Sequence, residues 1–165
     1  MIKTLTEIAA ESADRESIRD CLYRYCRGID RLDVDLIRSA YWPDATDEHG
    51  NFLANSAQEF IDHAVPIIQS MDLSTHFLGN ILIDIRGDAA FVESYIQAFH
   101  RMRRDDGSRY DHMSSSRFLD RMERREDHWR IQRRVVVRDW FREFPDSGEW
   151  DKGRLPQTLG YGRDA

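Results

Sequence analysis

The sequence predicts an α+β fold, with three N-terminal helices packed on a curved antiparallel sheet that encloses a cavity. Three observations predict it. Apolar residues recur at helical spacing up to about residue 70, and from about residue 75 they alternate with polar ones. Short turn signals rich in Gly and Asp then separate long strand-forming runs, so the order is helices first and a meander of strands after. The chain has 165 residues, the size of one domain, placed here at residues 1–144. Residues 145–165, with two prolines and four glycines, are expected to form an irregular C-terminal tail.

Ser12, followed by Asp14 and Glu16, reads as the cap of the first helix. Ile18, Leu22, Tyr25 and Ile29 then recur at spacings of four, three and four, an amphipathic helix that runs to about Asp30. A short second helix is expected over residues 33–40, broken by Trp42-Pro43-Asp44. Residues 45–49 read as a short strand turned by Gly50-Asn51. Ser56 caps a third helix carrying Phe60, Ile61, Ala64, Ile67 and Ile68, with Pro66 as a point of kinking. Ile81, Ile83 and Ile85 alternate as a strand, and Gly87-Asp88 turns the chain. A long strand over residues 89–104 follows, with a hairpin signal at Asp105-Asp106-Gly107 and a return strand over 109–124. After the turn at Arg125-Glu126-Asp127, residues 129–140 make the last strand.

Composition narrows the functional classes. Hydrophobic residues make up 41% and charged residues 33%, as in a folded globular domain. A net charge of -6 argues against a broad nucleic-acid surface. The arginine clusters around residues 101–104, 121–125 and 130–138 are expected on a solvated face. Cys21 and Cys26 lie five apart on different faces of one helix, a poor geometry for a disulfide, and no metal-ligand spacing of cysteine or histidine is visible. No stretch reaches the ~20 apolar residues of a membrane span and no signal-peptide core is apparent, so a cytoplasmic protein without membrane partners is expected.

The chemistry-bearing residues begin with His76, at the mouth of a strand in Ser74-Thr75-His76-Phe77-Leu78-Gly79-Asn80. A histidine suits proton transfer near neutral pH. Asp30, at the end of the first helix, is disfavoured there by the helix dipole unless a cation or hydrogen-bond donor compensates. That partner is Arg27, Arg31 or the imidazole of His76. Tyr25 lies on the apolar helix stripe, and its buried hydroxyl needs either a substrate or a backbone carbonyl. Tyr41 and Tyr95 are further candidates for contact with a phenolic substrate. His100, ending a strand, is a candidate acid toward a substrate oxygen, whereas His49 and His112 neighbour acids and are expected at the surface or rim. Arg134 and Arg138 share a strand face, which either lines the cavity and holds an anion or forms a charged exterior.

Residues 25–33 (Tyr25 to Asp33), Tyr41-Trp42-Pro43-Asp44-Ala45, Thr75 to Asn80, and Trp129-Arg130-Ile131 to Asp139-Trp140 together resemble the NTF2-like superfamily, in particular its SnoaL-like branch. The resemblance spans about residues 10–142 and implies a cone-shaped α+β fold. Within the branch the site residues are most similar to scytalone dehydratase and hexachlorocyclohexane dehydrochlorinase, cofactor-independent lyases that use a His–Asp pair. The same branch is similar to enzymes that release formaldehyde from lignin-derived diarylpropanes. By that resemblance the paired Asp is Asp30 and the His is His76, with His100 as second histidine and Ser114 and Ser116 as polar substrate contacts. Two departures stand out. The dehydratase has a tyrosine where this chain has Ile29, and its second tyrosine falls near Glu48.

The expectation is therefore a lyase without cofactor or metal that eliminates water or formaldehyde from a small aromatic substrate and leaves a conjugated alkene. Its catalytic set is Asp30, His76, Tyr25 and His100, and its substrate contacts are Tyr41, Tyr95, Ser114, Ser116, Arg134 and Arg138. A homodimer or homotrimer is expected. Isomerases and polyketide cyclases of the branch use the same acid–base logic. From another class, a small-molecule binder or the small subunit of a ring-hydroxylating oxygenase shares the fold.

Overall fold

The computed structural model describes residues 3–145, so the expected tail lies outside the described residues except for Pro145. Helix α1 spans Leu5–Arg31, α2 Val34–Ala40 and α3 Ala57–Gln69. The strands are β1 (Tyr41–His49), β2 (Phe52–Ala54), β3 (Leu73–Arg86), β4 (Ala89–Arg103), β5 (Arg109–Arg125) and β6 (His128–Pro145). They form one six-stranded sheet in the order β2-β1-β6-β5-β4-β3.

Helix α1 starts two turns before the expected cap at Ser12. Thr4 accepts from the Glu7 backbone N–H while the Glu7 carboxylate takes the Thr4 N–H, a reciprocal cap that starts the helix in a polar stretch. Its buried stripe is Ile18, Cys21, Leu22, Tyr25, Cys26 and Ile29. The helix ends at Leu32, which takes the left-handed conformation at φ 54°. Asp33 then caps α2 by accepting from Leu36 N–H. Gly28 lets the two helices meet closely, because a Cβ there would lie 2.8 Å from both Cγ1 and the backbone nitrogen of Ile37.

The sheet is mixed, which corrects the expected all-antiparallel meander. Strands β3 to β6 do form an antiparallel meander, but β6 then lies alongside β1 and runs parallel to it. Alternation has the same period in parallel and antiparallel strands, so the pattern carries no sign of this pairing. Pro43 falls where the β1–β6 register shifts between Tyr41 and Thr46, a place where a missing N–H costs no ladder bond.

A bulge in β3 positions the site. The β3–β4 register shifts between Gly79 and Leu82, and Asn80 has φ 48°. Past it, Ile81, Ile83 and Ile85 pack on the core while Leu82 is exposed. Before it the parity is reversed. Ser74 is buried and Leu78 packs inward, while Phe77 is 71% exposed. The shift therefore turns His76 toward the helices.

The core lies between the concave sheet face and α1 and α3, built on Tyr25, Ile29, Tyr41, Phe60, Ile96, Phe118, Met122 and Ile131. Cys21 and Cys26 are free and buried there, and burial pushes their thiols up to about 11 and about 12. The arginine clusters are not simply a solvated face. Arg101 pairs with Asp111 at 3.0 Å with both residues buried, and Arg103 and Arg109 share Asp72. These pairs fasten neighbouring strands. Among the described residues no helix is long and apolar enough to cross a membrane.

Candidate functional site

The concave face opens into a cavity of about 670 Å³ bordered by α1, α3 and all the strands from β1 to β6 except β2. Asp30 and His76 meet on its wall. Nδ1 of His76 lies 2.6 Å from Oδ1 of Asp30, and the His76 backbone N–H donates to Oδ2 at 2.9 Å. The Ser74 hydroxyl also donates to Oδ1, at 3.1 Å. Three donors from one strand thus offset the unfavourable placement of a carboxylate at a helix C-terminus. With Nδ1–H donated to Asp30, the neutral ring presents Nε2 as a base to the cavity. Of the sequence alternatives, the imidazole of His76 is a partner of this carboxylate, at 2.6 Å.

His100 and His112 continue a row of rings along the sheet. The His76 and His100 centroids are 5.3 Å apart, those of His100 and His112 are 6.0 Å apart, and Phe141 lies 5.5 Å beyond His112. His100 and His112 are direct partners across β4 and β5. His112 was expected at the surface or rim and instead borders the cavity. Burial lowers its pKa, the neighbouring Arg138 lowers it further, and Glu143 opposes, which leaves the ring neutral at neutral pH. The signal for it was present. His112, Ser114 and Ser116 sit two apart on one strand, so one face carries all three. Ser114, Ser116 and Arg138 border the cavity together, and Arg138 lies opposite Ser116 in register.

Tyr25 borders the cavity floor but is 2% exposed. The Arg134 guanidinium lies 4.2 Å from its ring centre, and burial pushes the pKa of its hydroxyl far up. Tyr41 departs from its expected role. It is 1% exposed, does not border the cavity, and donates its hydroxyl to Asp47 Oδ2 at 2.7 Å. Arg134 departs too. It is fully buried, makes a two-pronged pair with Asp120 at 2.8 and 2.7 Å, and lies 4.2 Å from the Tyr25 and 4.0 Å from the Phe118 ring centres. Burial works against its charge, but Asp120 more than compensates and holds its pKa well above the usual value. Its place under the floor makes it a support for the aromatic rings. Tyr95 points the other way: Ser94, Ile96 and Ala98 turn inward on β4, so Tyr95 projects from the convex face, 45% exposed.

His49 and His63 complete the histidines around the cavity, with Asn51 and Gly50 at the adjoining turn. Among the described residues no group of three or more His, Cys, Asp or Glu has a geometry to hold a metal ion. A second groove of about 600 Å³ lies on the convex face, lined by Leu82, Phe91, Leu119 and Val135 and without a histidine.

Comparison with known proteins places the chain. The model of the SnoaL-like domain family matches residues 10–135. Similar folds include a candidate scytalone dehydratase from Novosphingobium aromaticivorans, with TM-score 0.74, 17% identity, and 90% of this chain and 99% of that one covered. A type 2 hexachlorocyclohexane dehydrochlorinase (LinA) gives TM-score 0.77 at 16% identity over 87% of this chain and 97% of that one. A protein from Kribbella flavida gives TM-score 0.72 at 17% identity over 80% and 95%. At these identities the likeness shows the fold alone. No curated protein matches the sequence. The chain belongs to the SnoaL-like domain family, and its fold is that of the NTF2-like superfamily.

Proposed function

We propose that this SnoaL-like chain is a cofactor-independent lyase acting on a small aromatic substrate. The observation that carries the reading is the fixed Asp30–His76 pair, hydrogen-bonded at Nδ1 and at the backbone, beside an apolar cavity. His76 Nε2 takes a proton, and Asp30 stabilises the imidazolium that forms. An oriented histidine base contributes ~10²–10⁴-fold to rate.

In dehydration, the proton leaves a C–H bond, its electron pair becomes the alkene, and the hydroxyl on the neighbouring carbon departs as water with a proton from His100. In formaldehyde release, His76 takes the O–H proton of a hydroxymethyl group and the C–C bond breaks to give formaldehyde. The freed pair forms the alkene as the neighbouring hydroxyl departs as water with a proton from His100. Phe60, Ile96, Met102, Phe118 and Val136 offer apolar surface to an aromatic ring, while Ser114, Ser116 and Arg138 offer donors to a phenolate or carboxylate. A lignin-derived diarylpropane fits both requirements, and its size suits a cavity of about 670 Å³.

The test is a panel of aryl β-hydroxy compounds that includes hydroxymethyl diarylpropanoids, followed by conjugated-alkene absorbance with formaldehyde assayed in the same wells. An absorbance rise with formaldehyde supports the diarylpropane reading, and a rise without it supports simple dehydration. Tight binding without turnover across the panel would overturn the lyase reading in favour of a binding protein.

A further inference from the structure

Two His–Asp pairs, not one, face the cavity. His49 stands at the end of β1 with Nδ1 3.4 Å from Oδ1 of Asp47. Asp47 is 1% exposed, and its other oxygen is held by the Tyr41 hydroxyl at 2.7 Å. The two facing atoms, Asp47 Oδ1 and His49 Nδ1, are both buried and have no hydrogen-bond partner among the described residues. A buried carboxylate oxygen left unsatisfied is costly, and a small turn of the imidazole closes this gap to hydrogen-bond length. The ring itself is steadied by stacking on Phe60, with centroids 6.1 Å apart.

The two pairs sit at opposite ends of the cavity wall. β1 and β3 are separated in the sheet by β6, β5 and β4. At about 4.8 Å per strand, that is roughly 19 Å along the sheet before its curvature brings the ends closer. Both His49 and His76 nevertheless border the same cavity. The charged and titratable groups around His49 are Asp47 and Glu48 on its own strand, Arg134 and Arg138 on β6, and His63 on α3. Asp47 is the one that faces its ring nitrogen at 3.4 Å.

We propose that His49, oriented by Asp47, is a second proton-transfer residue that serves the far end of an elongated substrate. The Tyr41–Asp47–His49 chain repeats the logic of Ser74–Asp30–His76, in which a hydroxyl holds the carboxylate and the carboxylate holds the imidazole. Its role rests on the lyase reading. Neutral His49 takes the phenolic proton at the far end through Nε2 as the hydroxyl of the reacting centre leaves as water with the proton from His100. It returns that proton to the same oxygen as His76 takes the proton that completes the alkene. The proton held by His76 then returns to solvent, and His100 is recharged from it. Such a pair suits a two-ring substrate whose phenolic oxygen is conjugated to the reacting centre.

Long-range ¹⁵N–¹H spectra of the histidine-labelled full chain test the pairing without any substrate. His49→Gln assigns the His49 signals. The expected result is the Nδ1–H tautomer for neutral His49, lost in Asp47→Asn while His76 is unchanged, with Asp30→Asn showing the converse. A His49 tautomer that is the same with and without the Asp47 charge overturns the inference. If Asp47→Asn does not fold, the tautomer of His49 in the wild type alone decides it, Nε2–H being the overturning result. The kinetic arm uses any substrate that the wild type turns over and His76→Ala does not. There, His49→Gln lowers kcat about 10–100-fold with little change in KM, and an unchanged kcat removes the proton-transfer role. Activity surviving in His76→Ala would instead defeat the lyase reading, which the tautomer result does not touch.

Discussion

Asp120→Asn isolates the support beneath the cavity. Asp120 and Arg134 are both fully buried, joined by two hydrogen bonds at 2.8 and 2.7 Å, and Arg134 otherwise reaches the Tyr41 hydroxyl only at 3.4 Å. The substitution keeps size and shape but leaves a guanidinium charge unpaired beneath the Tyr25 and Phe118 rings. Removing one partner of a buried pair costs about 3–5 kcal/mol. For a chain of this length each kcal/mol is worth about 2–4 °C, so a fall in Tm of roughly 6–20 °C is expected. The double variant Asp120→Leu/Arg134→Met removes both charges and gives up only the long 3.4 Å bond from Arg134 to the Tyr41 hydroxyl, a loss of about 0.5–1.5 kcal/mol. It should therefore be more stable than Asp120→Asn. Urea denaturation followed by tryptophan fluorescence reads all three proteins. A loss below about 1 kcal/mol in Asp120→Asn, or a double variant less stable than the single, would refute the reasoning.

Three further outcomes follow from the site and the helix packing. Asp30→Asn keeps the geometry but removes a charge about 4 Å from the imidazolium centre, worth ~2–4 kcal/mol at this partial burial. Steady-state kinetics should show kcat reduced roughly 30- to 1,000-fold with an unchanged circular dichroism spectrum. Gly28→Ala should destabilise by about 1–3 kcal/mol in urea melts, despite the ~1 kcal/mol that alanine ordinarily gains in a helix. Its Cβ would meet Ile37 at 2.8 Å, part of it rigid backbone. His112 has a lowered pKa in the folded chain, so below its ordinary value of 6.5 the unfolded chain takes up a proton that the folded one does not. Stability from this group is present above that pH and is lost as pH falls through it. His112→Gln should therefore lose less stability than the wild type between pH 7.5 and pH 5.5, as read by urea midpoints.

Two residues of the candidate site were legible as an acid and a donor from their local settings. An acid at a helix end needs a donor, which left Arg27, Arg31 and His76 as partners for Asp30, and the resemblance to the SnoaL-like branch paired it with His76. What alternation does not carry is parity across a bulge. Counting back from Ile81, Ile83 and Ile85 would put Thr75 and Phe77 inward, and the left-handed Asn80 reverses that count. Alternation also gives a face but not a depth. Arg134 and Arg138 do share a face, yet one is sealed under aromatic rings and the other borders the cavity. Tyr41 was misjudged for the same reason, since its hydroxyl meets a buried Asp47 that no periodicity marks. His112 was set aside for its neighbour Asp111, although on a strand the residues two away define its surroundings, and these are the serines of the cavity wall. The parallel pairing of β1 with β6 joins residues about ninety positions apart and leaves no trace in either segment.

The most direct test of the acid–base account compares wild type and His76→Ala on a compound the wild type turns over, with circular dichroism confirming that the fold is kept. The account predicts a loss of at least ~10²-fold in kcat, reflecting the removal of the base that Asp30 holds. A folded His76→Ala protein with wild-type kcat would contradict it.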